Sequence, residues 1–183
     1  MEEWDRGPLD RPLDETAPGR RLPAGRTLEA EVLRQLFAEA SRLTSALERR
    51  GNEMVRGLEQ TYSRWQVLDL AHERPRAVPQ VARQLGLTRQ AVQRLADLLV
   101  KEKLALYRGN PAHRRSPLLQ ATPRGEEMLE RIDSLRNRWI NRMANGLLRK
   151  DIDTTLRTVR GLFDRLERIP VAPFTRKHRR GGS

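Results

Sequence analysis

The chain is predicted to be mainly α-helical with one small β-hairpin, on three observations. Apolar residues recur every three to four positions through most of its 183 residues. Between two of these helical runs a glycine, Gly86, follows a small alanine, Ala82, by four residues, which is what two short helices crossing at a tight turn require. Beyond Lys103 the helical period stops, and two short apolar runs flank an arginine-rich stretch opened by Gly-Asn-Pro.

Each element follows in order. Residues 1–26 are rich in proline, glycine and charge and read as a disordered arm. They contain no apolar core segment of a signal peptide, so the expected location is cytoplasmic. From there Leu28, Val32, Leu36, Ala40, Leu43 and Leu47 mark a long amphipathic helix, with Leu33 and Phe37 widening its stripe. Arg49-Arg50-Gly51-Asn52 is expected to interrupt it before a short turn over Met54–Leu58. Tyr62, Trp65, Leu68 and Ala71 form the face of a second helix, which His72-Glu73-Arg74-Pro75 ends.

Val81, Ala82 and Leu85 then face a core, Gly86 makes the turn, and Thr88 caps the next helix. That helix turns Val92, Leu95, Leu98 and Leu99 inward and leaves Arg89, Gln90, Gln93 and Arg94 on its other side. Leu104–Arg108 and Pro117–Thr122 read as strands joined through Gly109–Ser116, with Arg108, His113, Arg114 and Arg115 placing positive charge at the tip. Thr122 and Pro123 start a further helix, threonine as cap and proline where a missing N–H costs nothing. Its stripe of Met128, Ile132, Leu135, Trp139, Met143 and Leu147 predicts a helix to about Arg149, roughly 40 Å long. Asp151 starts the last helix, with Ile152, Leu156, Val159, Leu162, Phe163 and Leu166 as its face. Residues 170–183 read as a basic, flexible tail.

Helix, turn, helix and basic hairpin together make a winged helix-turn-helix head, over about residues 61–122. The helices over about 27–47 and 123–169 carry apolar surface that so small a head cannot cover, and are best explained as a dimerisation stalk. A net charge of +12 and a pI near 11.3 favour an anionic partner. Aromatic residues are only 4% of the chain, too few for the stacking platforms of an RNA-binding sheet. No long apolar run suits a membrane. Duplex DNA is therefore the expected partner, with Thr88, Arg89, Gln90, Gln93 and Arg94 reading the major groove and Arg108, His113, Arg114 and Arg115 contacting DNA from the wing. Arg89 or Arg94 suits guanine, and Gln90 or Gln93 suits adenine.

Other chemistries find little support. With no cysteine there is no disulfide framework, thiolate metal site or thiol sensor. His72, His113 and His178 lack a metal-ligand spacing, so neither metal nor cofactor is expected. No glycine-rich phosphate loop, serine elbow or His–carboxylate constellation points to an enzyme.

The stretches SRWQVLDL (Ser63–Leu70), VARQLGLTRQAVQRLADLLVKEKLALYRGNPAHRRS (Val81–Ser116), LLQATPRGEEML (Leu118–Leu129) and KDIDTTLRTVRGLFDRL (Lys150–Leu166) carry a further resemblance. In their order and spacing the chain resembles MarR-type winged-helix transcriptional regulators, from about Leu28 to Glu167. The resemblance implies a homodimer on a pseudo-palindromic operator, with half-sites about 34 Å apart. It further implies a repressor of its own or a neighbouring promoter, released by a small aromatic or anionic effector, for which Phe37 and Trp65 are the candidate pocket residues. At His113 the family usually has an acidic residue that pairs with an arginine and braces the wing. The competing reading is an architectural or partner-recruiting winged-helix protein with little sequence preference and no effector.

Overall fold

The protein is described here by a computed structural model covering residues 25–171; most of the arm over 1–26 and of the tail over 170–183 lies outside the described residues. Helix α1 spans Leu28–Val55 and passes through a 3-10 turn, Arg56–Leu58, into α2, Tyr62–Glu73. Strand β1, Arg76–Ala77, leads to α3, Val78–Leu85, and α4, Arg89–Lys101. Strands β2, Ala105–Arg108, and β3, Leu118–Ala121, form the hairpin, and α5, Pro123–Ala144, and α6, Arg149–Arg168, complete the described chain.

Threonine starts four of these helices by one mechanism. The Oγ1 atoms of Thr27, Thr61, Thr88 and Thr122 each accept the N–H three residues on, at 3.1–3.2 Å, satisfying a donor that has no partner inside the helix. Thr122 also donates to the Lys103 carbonyl at 2.7 Å, fixing the start of α5 to the start of the hairpin. Gly125, on the first turn of α5, lies directly against this junction, and a Cβ there would overlap the Leu104 carbonyl oxygen.

The core belongs to the head. Val67, Leu68, Val81, Val92, Ala96, Leu99, Leu104, Leu119 and Ile132 are fully enclosed or nearly so, drawn from α2, α3, α4, the hairpin and the first half of α5. Each buried Leu or Val contributes about 1.5–3 kcal/mol. By contrast α6 buries nothing, and α1 buries only Gly51 and Val55.

Several expectations are corrected. Arg49–Asn52 does not interrupt α1, because Gly51 is where α2 crosses: a side chain there would overlap the Tyr62 ring, and Asn52 Oδ1 accepts the Tyr62 N–H at 2.8 Å. The close crossing outweighs the glycine's local helix cost of about 1 kcal/mol. The sheet has three strands rather than two, antiparallel in the order β1-β3-β2, with Ala77 opposite Leu118 and Tyr107 opposite Leu119. A two-residue strand has no alternation to read; pairing with β3 creates it. Buried Arg76 sits in that strand, donating to the Leu70 carbonyl and, at 2.7 Å, to Glu73, and so closes the C-terminal end of α2.

Helix α5 ends at Ala144, earlier than expected, and is about 33 Å long. Gly146, at φ +82°, turns the chain, Leu147 lies in that turn, and α6 starts at Arg149 instead of Asp151. On α4 Val92, Ala96 and Leu99 are buried and Leu95 packs partly buried against the core, whereas Leu98, expected to face inward, is 43% exposed.

Candidate nucleic-acid interface

The turn before α4 is built as its residues demand. Gly86 adopts φ +65°, a conformation a side chain would strain, and its N–H closes on the carbonyls of Ala82 and Arg83. Ala82 is buried at the α3–α4 crossing. With Val92, Ala96 and Leu99 held in the core, Arg89, Gln90, Gln93 and Arg94 are all exposed on the outer face of α4. Thr88 spends its Oγ1 acceptor on the Ala91 N–H at 3.1 Å, so its first role is to form the end of the helix that presents the others.

Helix and wing meet in one groove. A concavity of about 290 Å³ is lined by Val78, Pro79, Arg89, Gln90, Gln93, Arg115, Ser116 and Pro117. Three of the expected α4 residues and one expected wing residue thus share a wall. Arg94 lies on the same face of α4 outside this lining, and His113 and Arg114 stand exposed nearer the wing tip. Arg108 is at the end of β2, where it donates to Gln120 Oε1 across the hairpin at 2.8 Å. Among the described residues none of Arg89, Arg94, Arg114 and Arg115 is paired with a carboxylate, whereas Arg34, Arg42, Arg50 and Arg136 on α1 and α5 each pair with an acid three residues away. Positive charge left unneutralised on one face is what a polyanion attracts.

Two features of this face have no counterpart in the expectations. Asn110 organises the wing: its side chain donates to the Ser116 carbonyl at 2.8 Å and accepts the Ala112 N–H at 3.1 Å. These bonds brace the loop from within, where the resemblance leads one to look for an acid–arginine pair at His113. The Asn-Pro dipeptide is the readable signal, since Asn side chains bond to backbone two residues on. Gln93 is tied to Asp97 at 2.9 Å and to the hydroxyl of Tyr107 on β2 at 2.7 Å, while Tyr107 donates to Asp97 at 2.8 Å. Burial and the Asp97 carboxylate push the Tyr107 pKa up to about 12, so its hydroxyl stays a donor. No sequence period links positions 93 and 107; the hairpin register does.

The candidate effector residues are not brought together. Phe37 is 42% exposed on α1, about 21 Å up that helix from Gly51, where α2 crosses. Trp65 is 6% exposed, with Tyr62 edge-on at 5.4 Å and the Arg136 guanidinium over its ring at 5.3 Å. Its buried indole N–H has no hydrogen-bond partner among the described residues, nor do Gln60 Oε1 and Arg64 Nε nearby in sequence. Among the described residues no cluster of three His, Cys, Asp or Glu is placed to hold a metal ion, and no helix is long and apolar enough to cross a membrane.

Comparison with known proteins agrees with this geometry. A model of the MarR family matches residues 57–116, the head from the end of the 3-10 turn to the wing. The uncharacterized protein Rv2011c of Mycobacterium tuberculosis is 39% identical over 118 residues, 64% of this chain and 82% of that protein. The transcriptional regulator BldR from Sulfolobus solfataricus superposes with a TM-score of 0.66 at 21% identity, over 79% of this chain and 100% of its own. The transcriptional repressor CouR, solved bound to a 23-mer DNA duplex, superposes with a TM-score of 0.62 at 24% identity, over 75% of this chain and 98% of its own. CouR from Rhodococcus jostii RHA1 has also been solved bound to p-coumaroyl-CoA.

Proposed function

The chain belongs to the MarR family, winged-helix transcriptional regulators and not enzymes, and on that premise we propose that it is a homodimeric repressor of its own or a neighbouring promoter. One observation carries the DNA reading: the groove between α4 and the wing, lined by Arg89, Gln90, Gln93 and Arg115 and flanked by guanidiniums without acidic partners. In this reading α4 enters the major groove, its residues Thr88, Arg89, Gln90, Gln93 and Arg94 face the base edges, and Arg108, His113, Arg114 and Arg115 lie along the backbone or minor groove.

The dimer reading rests on apolar surface. Leu28, Val32, Leu36 and Phe37 of α1 and Ile152, Leu156, Val159 and Phe163 of α6 are all exposed in the single chain. Contiguous apolar stripes of this kind are buried in stable oligomers. The head over about 61–122 and the dimerisation helices over about 27–47 and 123–169 are the proposed division, and Phe37 belongs with the dimer face. Two such heads would meet a pseudo-palindromic operator.

The effector reading centres on Trp65. A buried indole N–H without a partner offers an aromatic face and a donor, while the arginine over the same ring is already paired with Asp133. Those groups suit a small aromatic molecule that carries a hydrogen-bond acceptor. Such a ligand releases DNA only if it binds the DNA-incompetent dimer more tightly than the competent one.

The test is a titration of the purified protein against DNA upstream of its own gene and against a shuffled duplex of equal composition, at several salt concentrations. A preference of about 10³ or more for the native duplex supports the repressor reading, and equal binding with a steep salt slope supports an architectural protein. On the native site Arg94→Ala is expected to lose about 1–3 kcal/mol if it reads a base, and to weaken all DNA alike if it meets phosphate.

A further inference from the structure

A second concavity lies where the α1–α2 connection, the end of α4 and the start of α5 come together. It encloses about 290 Å³ and shares no residue with the groove between α4 and the wing. Lys101, which lines it, is the last residue of α4, about 18 Å along that helix from Arg89 in the other groove. Two turns build its wall. Glu59 and Lys103, at φ +56° and +62°, are the only non-glycine residues with positive φ among the described residues, and both line it. Each closes the helical turn before it, Glu59 donating its N–H to the Arg56 carbonyl and Lys103 to that of Val100, at positions where glycine is the usual residue. Arg64 ties the two turns together, donating to the Glu59 carbonyl at 3.2 Å and to the Glu102 carboxylate.

The polar groups around this space are unevenly matched. Lys101, Lys103 and Arg124 line it, and among the described residues none of them is paired with a carboxylate. Glu102 is spent on Arg64, so three cations share the lining with one free acid, Glu59. The side chain of Gln60, 6% exposed, also lines it, and its Oε1 has no hydrogen-bond partner among the described residues. A buried amide left in that state costs free energy, which a guest able to hydrogen-bond recovers. We infer that this concavity binds a small oxyanion that carries two or more negative charges and a hydroxyl, of the hydroxy-polycarboxylate or sugar-phosphate class. Lys101, Lys103 and Arg124 hold its charged oxygens, since ammonium and guanidinium groups make their strongest hydrogen bonds to such atoms. The Gln60 amide meets its hydroxyl, which can donate or accept as the amide requires. The three cations come from α4, the turn before β2 and α5, so one guest bridges the recognition helix and the base of the stalk. The inference uses no residue of the DNA groove and stands whether or not the DNA reading does.

The experiment is a calorimetric titration of the full chain, without DNA, with citrate, glucose 6-phosphate and acetate at one fixed ionic strength. Citrate or glucose 6-phosphate should bind saturably, and the tighter of the two tells whether carboxylates or a phosphate supply the charge. Acetate, with a single charge and no hydroxyl, should bind about tenfold more weakly or worse. With the tighter probe, the double variant Lys101→Gln, Arg124→Gln should lose about tenfold or more in affinity. Gln60→Leu keeps the bulk, removes the amide and should lose affinity severalfold. The double variant Arg89→Gln, Arg115→Gln makes the same change of charge in the DNA groove and should bind the probe as wild type does. The inference is overturned if neither probe binds, if acetate is held as tightly, or if either the lysine–arginine pair or Gln60 can be replaced without loss. It is equally overturned if the DNA-groove variant loses as much, since the anion then answers only to net charge.

Discussion

The head and the stalk are made of the same kind of amphipathic helix and reach opposite states in the single chain. In the head, α2, α3, α4 and the hairpin close around Leu68, Leu99, Leu104 and Leu119, and its outer arginines are left without acidic partners. In the stalk, α6 buries no residue and leaves Leu156, Val159 and Phe163 in the open, while Arg34, Arg42, Arg50 and Arg136 of α1 and α5 are each paired with an acid three residues away. One region has satisfied its apolar surface and kept its charge available. The other pairs part of its charge within its own helices and keeps its apolar surface available. The difference is what the proposal above rests on, in which the head meets a polyanion and the stalk another apolar face.

The largest expected effects come from breaking the head. Leu119→Ala should lose about 2–5 kcal/mol of unfolding free energy, and Gly125→Ala should be comparably harmful, since its methyl overlaps the Leu104 carbonyl. Chemical denaturation of both checks this. Leu156→Ala should leave the unfolding of the head nearly unchanged in dilute protein, and a matching loss there would erase the contrast. Next in size, removing the chain after Arg149 should raise the dimer dissociation constant by about a hundredfold or more, roughly 3 kcal/mol. Sedimentation decides it, and a truncated protein that stays a tight dimer refutes a dimerising role for α6.

A smaller effect is expected at the start of the recognition helix. Thr88→Ala removes the acceptor for the Ala91 N–H and should lose about 1 kcal/mol of stability, with weaker DNA binding as the first turn frays. The smallest concerns pH. Burial raises the carboxyl pKa of half-buried Asp69 above its ordinary 3.8, against the partial opposition of Arg136. Its ionised form is therefore disfavoured by folding, so its contribution is best below the unfolded pKa and is lost as pH rises through the folded one. Asp69→Asn should match wild type at pH 3.5 and melt slightly higher at pH 7. A variant that melts lower at pH 7 would show that Asp69 has a favourable partner when charged.

Much of this was legible in the chain as written, for local reasons. Thr88 and Gly86 report cap and turn because a hydroxyl acceptor and a positive φ are properties of single residues. The apolar periods of α2 to α5 report helices because a helix repeats every 3.6 residues wherever it lies. Gly51 misleads on the same logic: glycine weakens a helix locally, but here its missing side chain admits the Tyr62 ring. Leu98 followed the period and still lies outside, since the narrower seam of Val92, Ala96 and Leu99 fills the available core.

By itself the sequence determined the order of helices, the glycine turn, the basic hairpin and the excess of positive charge, all of which depend on residues near one another in the chain. Only the tertiary structure decided that Arg76–Ala77 is a strand, that Arg115 shares a groove with Arg89, and that Gln93 is held by Tyr107. These depend on which distant segments meet. Hydrogen bonds and steric fit act over a few ångströms of space, and no local pattern encodes such distances until the hydrophobic core has chosen which surfaces face each other.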